Sequence, residues 1–411
     1  MNPLRAFTAR GVGFLCAGPA VIGAGLVIGE RDLVGLGVLV LLLPVLSLLT
    51  VAGGPRSVAH SRALQPARVA AGSDARVLVR VANSAALAPI GGLLAEDTLP
   101  YTLGEQPRFT IGYLRPRGVR DLTYRVRTHV RGRYAVGPLL LSFTDPLGCV
   151  CLRREVGTPT SLLVTPPVVP LADAPLPGGA AEGGDSTART MSAGGQDDPI
   201  PRAYRHGDDL RRVHWRSTAR HGELMVRREE HQWSDRSVVL LDGRARAHAG
   251  TGAEASLETA VSAAASIALH LSGRGQEVRL LTDENEIAAP RGSGLLDALA
   301  MARPSDGTGL HGAAELLAAA PVTGRGRLVA VLGAVGAADI EALGRARAGR
   351  GHDCTAVLCR TAAWPSPDAA RAAAETLSAA GWLVAEVGSA RDLADAWARL
   401  GRRPIRRGGV R

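Results

Sequence analysis

Ser237-Val-Val-Leu-Leu-Asp242 is a continuous apolar run closed by an acid. Four runs of the same texture follow it: Glu277-Val-Arg-Leu-Leu-Thr282, Arg327-Leu-Val-Ala-Val-Leu332, Cys354-Thr-Ala-Val-Leu-Cys359 and Trp382-Leu-Val-Ala-Glu-Val387. Between or after them lie Ala-rich stretches of helical length, notably 254–272, 337–349, 367–380 and 390–400. A strand wet on one face alternates apolar with polar, whereas a continuous apolar strand is covered on both faces. The pattern therefore predicts a parallel sheet flanked by helices, an α/β doubly wound domain over residues 237–401. Ligands bind such sheets at the carboxyl ends of the strands, which makes Asp242 the first residue to consider.

Upstream of the first strand, residues 201–236 crowd charge around few apolar residues. The core is Arg202-Ala-Tyr-Arg-His-Gly-Asp-Asp-Leu-Arg-Arg-Val-His-Trp-Arg-Ser-Thr-Ala-Arg-His-Gly-Glu-Leu-Met-Val-Arg-Arg-Glu-Glu230. Asp208 can cap a helix with Asp209 in its first turn, Arg220 and His221 fall in its last turn, and Gly222 can end it in the left-handed conformation. Leu210, Val213, His214 and Ser217 share one face of that helix, Trp215 gives it a large anchor, and Glu223 to Arg227 read as a short strand.

The run Arg202-x-Tyr204-Arg205-x-Gly207-Asp208-Asp209-x-Arg211-Arg212-Val213-His214-Trp215-Arg216-x-x-Ala219-Arg220, closing with Leu224-Met225-Val226-Arg227, resembles the defining motif of the domain of unknown function 58 family. The likeness extends upstream to Arg131-Gly132-Arg133-Tyr134-x-x-Gly137-Pro138 and Asp145-Pro146-Leu147-Gly148, and downstream through a von Willebrand factor A-like domain. It implies an architecture and a cellular setting rather than a reaction. It also implies association with a MoxR-type AAA+ ATPase and a transglutaminase-like membrane protein.

Going outward from the signature, residues 166–200 are rich in Pro, Gly, Ala, Asp and Ser and read as a linker or long surface loop. Residues 57–165 break into short β-type runs, Arg76 to Val81, Arg108 to Tyr113, Leu122 to Val130, Leu139 to Thr144 and Ser161 to Thr165, which suggest a β-sandwich. Alternation in the third run sends Leu122, Tyr124, Val126, Thr128 and Val130 to one face and Thr123, Arg125, Arg127 and His129 to the other. Two uncharged runs, 11–29 and 33–52, are separated only by Glu30, Arg31 and Asp32, so residues 1–53 read as a transmembrane helical hairpin. Arg5, Arg10, Arg56, Arg62 and Arg68 flank it while its turn is net acidic, which places both ends in the cytoplasm and makes the protein a multi-pass cell-membrane protein with cytoplasmic soluble domains. Gly11, Gly18 and Gly25 can let the two helices approach closely.

The formal net charge is +10 and the 48 basic residues are all arginine. That balance suits an anionic membrane face or nucleic acid, but the five acids inside the signature argue against nucleic acid even with Tyr204 and Trp215 present. The basic tail, 402–411, reads as a solvated end. The five cysteines show neither disulfide nor zinc spacing, and no phosphate loop or nucleophile elbow is present.

A von Willebrand A domain that binds Mg²⁺ uses Asp-x-Ser-x-Ser after its first strand, a threonine from a later loop and a further aspartate, all hard oxygen ligands. This chain keeps Asp242 and offers Thr308, but Arg244 and Arg246 replace the serines and Gly333 and Ala334 occupy the region of the later aspartate. The expectation is a degenerate site without metal, with Asp242 paired to Arg244 or Arg246. Within the signature, Arg202, Tyr204, Gly207, Asp208, Asp209, Arg211, Arg212, His214, Trp215, Ala219 and Arg220 are expected to form a binding or structural lattice of ion pairs. The resulting expectation is a membrane-anchored scaffold or adaptor for protein partners, with no catalytic residue and no cofactor. The alternative is a hydrolase centred on His206, Asp208, Asp209 and His214.

Overall fold

The computed structural model describes residues 6–52, 57–173, 201–203, 215–227, 235–287, 293–320, 322–323, 326–347 and 354–402. Two apolar helices open the chain, α1 (Ala9–Ile28) and α2 (Arg31–Ala52), each long and apolar enough to cross a membrane. The Thr8 hydroxyl accepts the Gly11 N–H to cap α1, and Gly29 ends it at φ 80°. Small residues set the contact between the helices. A Cβ on Gly18 would stand 2.9 Å from the Leu41 Cβ, one on Gly25 2.9 Å from the Val34 nitrogen, and one on Gly37 2.8 Å from the Ile22 nitrogen. Gly11 lies on the same stripe but serves another contact, because a Cβ there would collide with the Cys149 carbonyl. The first turn of α1 is thus seated on the β region that follows.

That region holds β1 (Val58–Gln65), β2 (Arg68–Ala70), β3 (Asp74–Asn83), β4 (Ile90–Asp97), β5 (Arg108–Leu114), β6 (Val119–Arg127), β7 (Gly132–Val136), β8 (Leu139–Thr144), β9 (Cys151–Val156) and β10 (Thr160–Thr165). They form three small sheets, ordered β1-β3-β6, β5-β4-β8-β9 and β2-β10-β7, around one core containing Val77, Leu93, Leu141, Phe143 and Leu162. In β6 the alternation holds: Val126 is buried, Leu122 and Tyr124 are half-buried, and Thr123, Arg125 and Arg127 are exposed. The strand begins earlier than its apolar pattern and stops at Arg127, because Thr128 to Val130 turn the chain towards Arg131. A buried ion pair, Arg62 with Asp97, sits in this core. Asp97 accepts from the Arg62 guanidinium and from the Tyr124 hydroxyl, and burial together with that carboxylate holds the tyrosine pKa well above its usual range.

Register orients the β region between two neighbours. Val58 faces Asn83, Ala82 faces Val119 and Ile90 faces Leu114, so the turns 84–89 and 115–118 share one end with the start of β1. Leu93 opposite Phe143 adds turn 145–150 to that end. There the Thr8 N–H donates to the Cys149 carbonyl at 2.9 Å and its hydroxyl to the Gly148 carbonyl at 2.6 Å, while Val51 of α2 is buried in the same core. Beyond the opposite end of β6, Arg131 reaches the α/β region, donating from Nε to the Leu299 carbonyl at 3.0 Å and from Nη2 to the Ala302 carbonyl at 2.7 Å, and pairing with Glu258. The β region is therefore a spacer with the helices at one end and the α/β region at the other.

Residues 167–171 depart from the expectation of a loose linker. Ser262 donates to the Pro167 carbonyl at 2.6 Å, the Val169 N–H donates to Ser266 at 2.9 Å, and Leu171 packs on the α/β core. Residues 174–200 lie outside the described residues. Next come a short antiparallel pair, β11 (Pro201–Ala203) and β12 (Met225–Arg227), and a two-turn helix, α3 (Trp215–His221).

The α/β region has one six-stranded sheet. Its strands are β13 (Arg236–Leu241), β14 (Glu277–Thr282), β15 (Glu286–Ile287), β16 (Leu328–Leu332), β17 (Cys354–Cys359) and β18 (Leu383–Val387). The order is β15-β14-β13-β16-β17-β18, parallel except for β15 at the edge. Helices α4 (Ser256–Gly273), α5 (Ser293–Ala300) and α9 (Leu393–Arg402) cover one face, and α6 (His311–Ala319), α7 (Ala337–Arg347) and α8 (Pro367–Ala379) cover the other. Every residue of β16 and β17 is buried, as a sheet covered on both faces requires. Adjacent β13 and β16 leave the sheet towards helices on different faces, and this opens a crevice at their carboxyl ends.

Candidate functional site at the carboxyl end of the sheet

Asp242 follows the last residue of β13 inside that crevice and is fully buried. Arg244 turns back on it, donating from Nε to one carboxylate oxygen and from Nη2 to the other, both at 2.8 Å. The remaining arm, Nη1, donates to Asp339 at 3.0 Å. The guanidinium thus lies between two carboxylates, and its side chain is only 2% exposed. Burial alone would lower its pKa, but the bonds and charge of Asp242 and Asp339 hold it above the usual arginine range. A fork of this shape satisfies carboxylates bidentately, which a lysine ammonium cannot do.

The neighbouring loops fix the carboxylates. Asp339, in the first turn of α7, accepts the Leu310 N–H at 2.9 Å and the Gly336 N–H at 3.1 Å. Burial would raise its pKa, yet the Gly336 N–H and the Arg244 charge hold it below the ordinary aspartate value. Asp283, just past β14, accepts the Gly243 N–H at 3.0 Å and the Ser305 hydroxyl. A side chain on Gly243 or Gly307 would strike that carboxylate. His248 closes the turn, with Nε2 against the Asp242 carbonyl at 2.8 Å and Nδ1 against the Ser256 hydroxyl at 3.1 Å, and burial lowers its pKa. The imidazole is therefore neutral, with Nε2 as donor and Nδ1 as acceptor.

Over this closed cluster lies a cleft of about 500 Å³, lined in part by Arg246, Thr308, His311, Gly336 and Pro365. Arg246, Thr308 and His311 are exposed, so the rim is basic and hydroxylic while the acids lie beneath it. Such a rim can take an acidic group from outside. Among the described residues no cluster of three or more His, Cys, Asp or Glu is arranged to hold a metal ion. Burial pushes the Cys359 thiol up to about 12, and Ser256 is buried.

Arg244, rather than Arg246, pairs with Asp242, and Thr308 lines the cleft above them. Gly333 and Ala334 do meet the site, the first donating its N–H to Asp242 at 3.3 Å and the second accepting from Arg244 at 3.4 Å. The further aspartate sits deeper in the chain, as Asp339 at the start of α7, and sequence reasoning missed it together with Asp283 and Ser305. Asp283 carried a signal, since it directly follows the apolar strand β14, whereas Asp339 lies in the first turn of α7, beyond the loop after β16, and only the fold brings it to the site.

In the signature, Tyr204, His206, Gly207, Asp208, Asp209, Arg211, Arg212 and His214 lie outside the described residues, and of Arg202 only the backbone is described. Trp215 corrects an expectation. It starts α3 and is 70% exposed, so it does not anchor this helix in a core. The reason is local: α3 has only seven residues, and among the described residues it is tied by the Met225 N–H donating to the Thr218 hydroxyl at 3.0 Å. Ala219 and Arg220 are exposed as well, and Gly222 ends the helix at φ 74°. Arg131, which opens the weaker upstream motif, ties the β and α/β regions together, alongside Arg68, which pairs with Asp297 at 2.7 Å.

Among solved structures, the chain is similar to the CARDB domain of a Pyrococcus furiosus protein in complex with di-metal ions, at 16% identity over 26% of this chain and 86% of that one, with a TM-score of 0.20. It is similar to the C-terminal domain of Wzt at 14% identity over 26% of this chain and 74% of that one, with a TM-score of 0.21. It is similar to the sporulation control protein Spo0M of Bacillus subtilis at 10% identity over 24% of this chain and 48% of that one, with a TM-score of 0.15. No functional conclusion follows from overlaps at that level. No curated protein matches the chain. Residues 201–362, which span the signature and the crevice with its Asp242, Arg244 and Asp339, match the family model described as protein of unknown function DUF58, and that match supports the DUF58 family for this chain.

Proposed function

We propose that the protein is a membrane-anchored scaffold or adaptor that binds a protein partner at the carboxyl end of a von Willebrand A-like sheet, without a metal ion. The carrying observation is the Arg244 guanidinium held between Asp242 and Asp339. In a metal-dependent domain of this type a divalent cation joins such acids to an acidic group of the partner. Here the chain supplies the cation from its own side chain, the buried Arg244 guanidinium, with all three nitrogens bonded to the two carboxylates. The sheet order, with an antiparallel edge strand beside five parallel strands, supports the von Willebrand A-like reading.

The partner contact then falls to the exposed rim of Arg246, Thr308 and His311, which suits an acidic surface. In this reading the two apolar helices anchor the chain as a multi-pass membrane protein, with the β-sandwich and α/β domains cytoplasmic, and the exposed Trp215 face of the signature adds a second contact. The resemblance noted in the signature makes a MoxR-type AAA+ ATPase the first partner to test and a transglutaminase-like membrane protein the second. The test is capture of the purified ATPase by the full-length protein in lipid nanodiscs. Arg246→Glu with His311→Glu should weaken capture at least tenfold, a loss of about 1.4 kcal/mol or more. Equal capture by parent and double variant would remove the rim from the account.

A further inference from the structure

We propose that the helix-proximal end of the β region is a second, peripheral membrane-binding surface, in which Leu87 and Leu147 enter the interface of an acidic bilayer and a ring of arginines meets its headgroups. This rests on the reading of α1 and α2 as membrane spans.

Turns 84–89, 115–118 and 145–150 share one end of the β region, and that end is where α1 starts and α2 finishes. Turn 145–150 is fastened to the first turn of α1 through Thr8, and Ser84 donates its N–H to the Ser57 carbonyl at 2.6 Å, five residues after α2 ends. If the helices span a bilayer, these turns lie at its surface.

Their chemistry fits that position. Leu87 is 90% exposed and Leu147 49%, each at the tip of its turn, where a soluble surface would carry polar side chains. Tyr113 and Val119, flanking the third turn, are 57% and 51% exposed. The exposed charges around them are Arg10, Arg115, Arg117 and Arg120, and none of these forms an ion pair with a described residue. The acid nearest the tips, Asp145, is buried and turned inward, accepting the Leu147 and Val150 N–H groups at 3.0 and 2.6 Å. Asp121 is held by Arg80 through two bonds of 2.7 and 3.0 Å. Apolar tips inside a ring of uncompensated arginine match a negatively charged lipid surface. The contact would fix the height and tilt of the β region, and hence the place of the α/β region that Arg131 joins to it.

The experiment uses the full-length protein in nanodiscs, with an environment-sensitive dye on single cysteines at Leu87→Cys, Leu147→Cys and, as a control at the distal end, Tyr101→Cys, where the native side chain is 97% exposed. Native Cys16 and Cys151 are replaced in these variants, and the remaining cysteines are buried. A parent that keeps Cys16 reports on the span itself. In discs containing phosphatidylglycerol, the dyes at 87 and 147 should be quenched by a shallow spin-labelled lipid and be several-fold less accessible to iodide than the dye at 101. Replacing Arg115, Arg117 and Arg120 by glutamine should reverse that protection. Iodide access at 87 and 147 equal to that at 101, with the Cys16 dye quenched from the lipid, overturns the surface and leaves the span intact. Iodide access at Cys16 as well overturns both. Equal protection in pure phosphatidylcholine overturns the acidic-lipid assignment.

Discussion

Arg244 closes on Asp242, two residues before it in the same turn, with two bonds of 2.8 Å, and carries the charge onward to Asp339 at 3.0 Å. A cation that belongs to the chain cannot dissociate. In the reading proposed above the site is permanently loaded, and a signal through it would come from a partner or a conformational change rather than from metal concentration.

Removing that cation should be expensive. Arg244→Ala leaves Asp242 and Asp339 buried without a counter-charge, and breaking a buried pair in this way typically costs about 3–5 kcal/mol. Arg244→Lys should recover only part of the loss, because an ammonium cannot reproduce the fork. Chemical denaturation of the full-length protein in nanodiscs measures both variants. A lysine variant as stable as the parent would show that charge alone, without the fork, holds the site.

The crevice also predicts the direction of pH dependence. Asp339 has a folded pKa below its ordinary value of 3.8. The unfolded chain thus takes up this proton first as pH falls, so the stabilisation is complete above about pH 4 and is lost as pH drops through the folded value. His248 has a folded pKa below 6.5, so the unfolded chain again binds the proton first. Stability should therefore start to fall already as pH drops below 6.5, and His248→Gln should flatten that upper part of the profile. A melting profile flat from pH 7 to about pH 4 in the parent would contradict the burial of the neutral imidazole.

Much of this architecture was legible because it rests on period. Continuous runs such as Leu328–Leu332 and the uncharged stretches of α1 and α2 have few other ways to satisfy their backbone and bury their side chains. Period also placed Leu122, Tyr124 and Val126 on the inner face of β6. Where period is weak, the sequence was silent. β9, Cys-Leu-Arg-Arg-Glu-Val, reads as a polar loop because one buried leucine carries it. Helices α5 and α6 are too short to announce themselves beside their glycines. The Asp242–Arg244 pair could be anticipated from its two-residue spacing, whereas Asp339 reaches the same point from 95 residues away and only the fold reveals it. Exposure of Trp215 was not legible, since a tryptophan in a helical pattern ordinarily marks a core.

Arg131 should couple the two soluble regions. Arg131→Ala removes the donor that holds the Leu299 and Ala302 carbonyls and leaves Glu258 without its partner, at a cost of about 2–4 kcal/mol. The loss should appear as separate melting of the β and α/β regions. A single transition at the parent temperature would show that Arg68 and Asp297, paired at 2.7 Å nearby, suffice.

The acidic turn of the hairpin and the soluble regions should lie on opposite sides of the membrane. With Cys16 replaced, a cysteine at Glu30 should react with an impermeant thiol reagent in intact cells, and one at Tyr101 only after lysis. The reverse pattern would invert the topology.

The central claim, that Arg244 stands where a divalent cation would bind, is tested most directly by melting the full-length protein in nanodiscs with and without millimolar Mg²⁺ or Mn²⁺. The account predicts superimposable melts. A reproducible rise of several degrees with metal, abolished by Asp242→Ala, would contradict it.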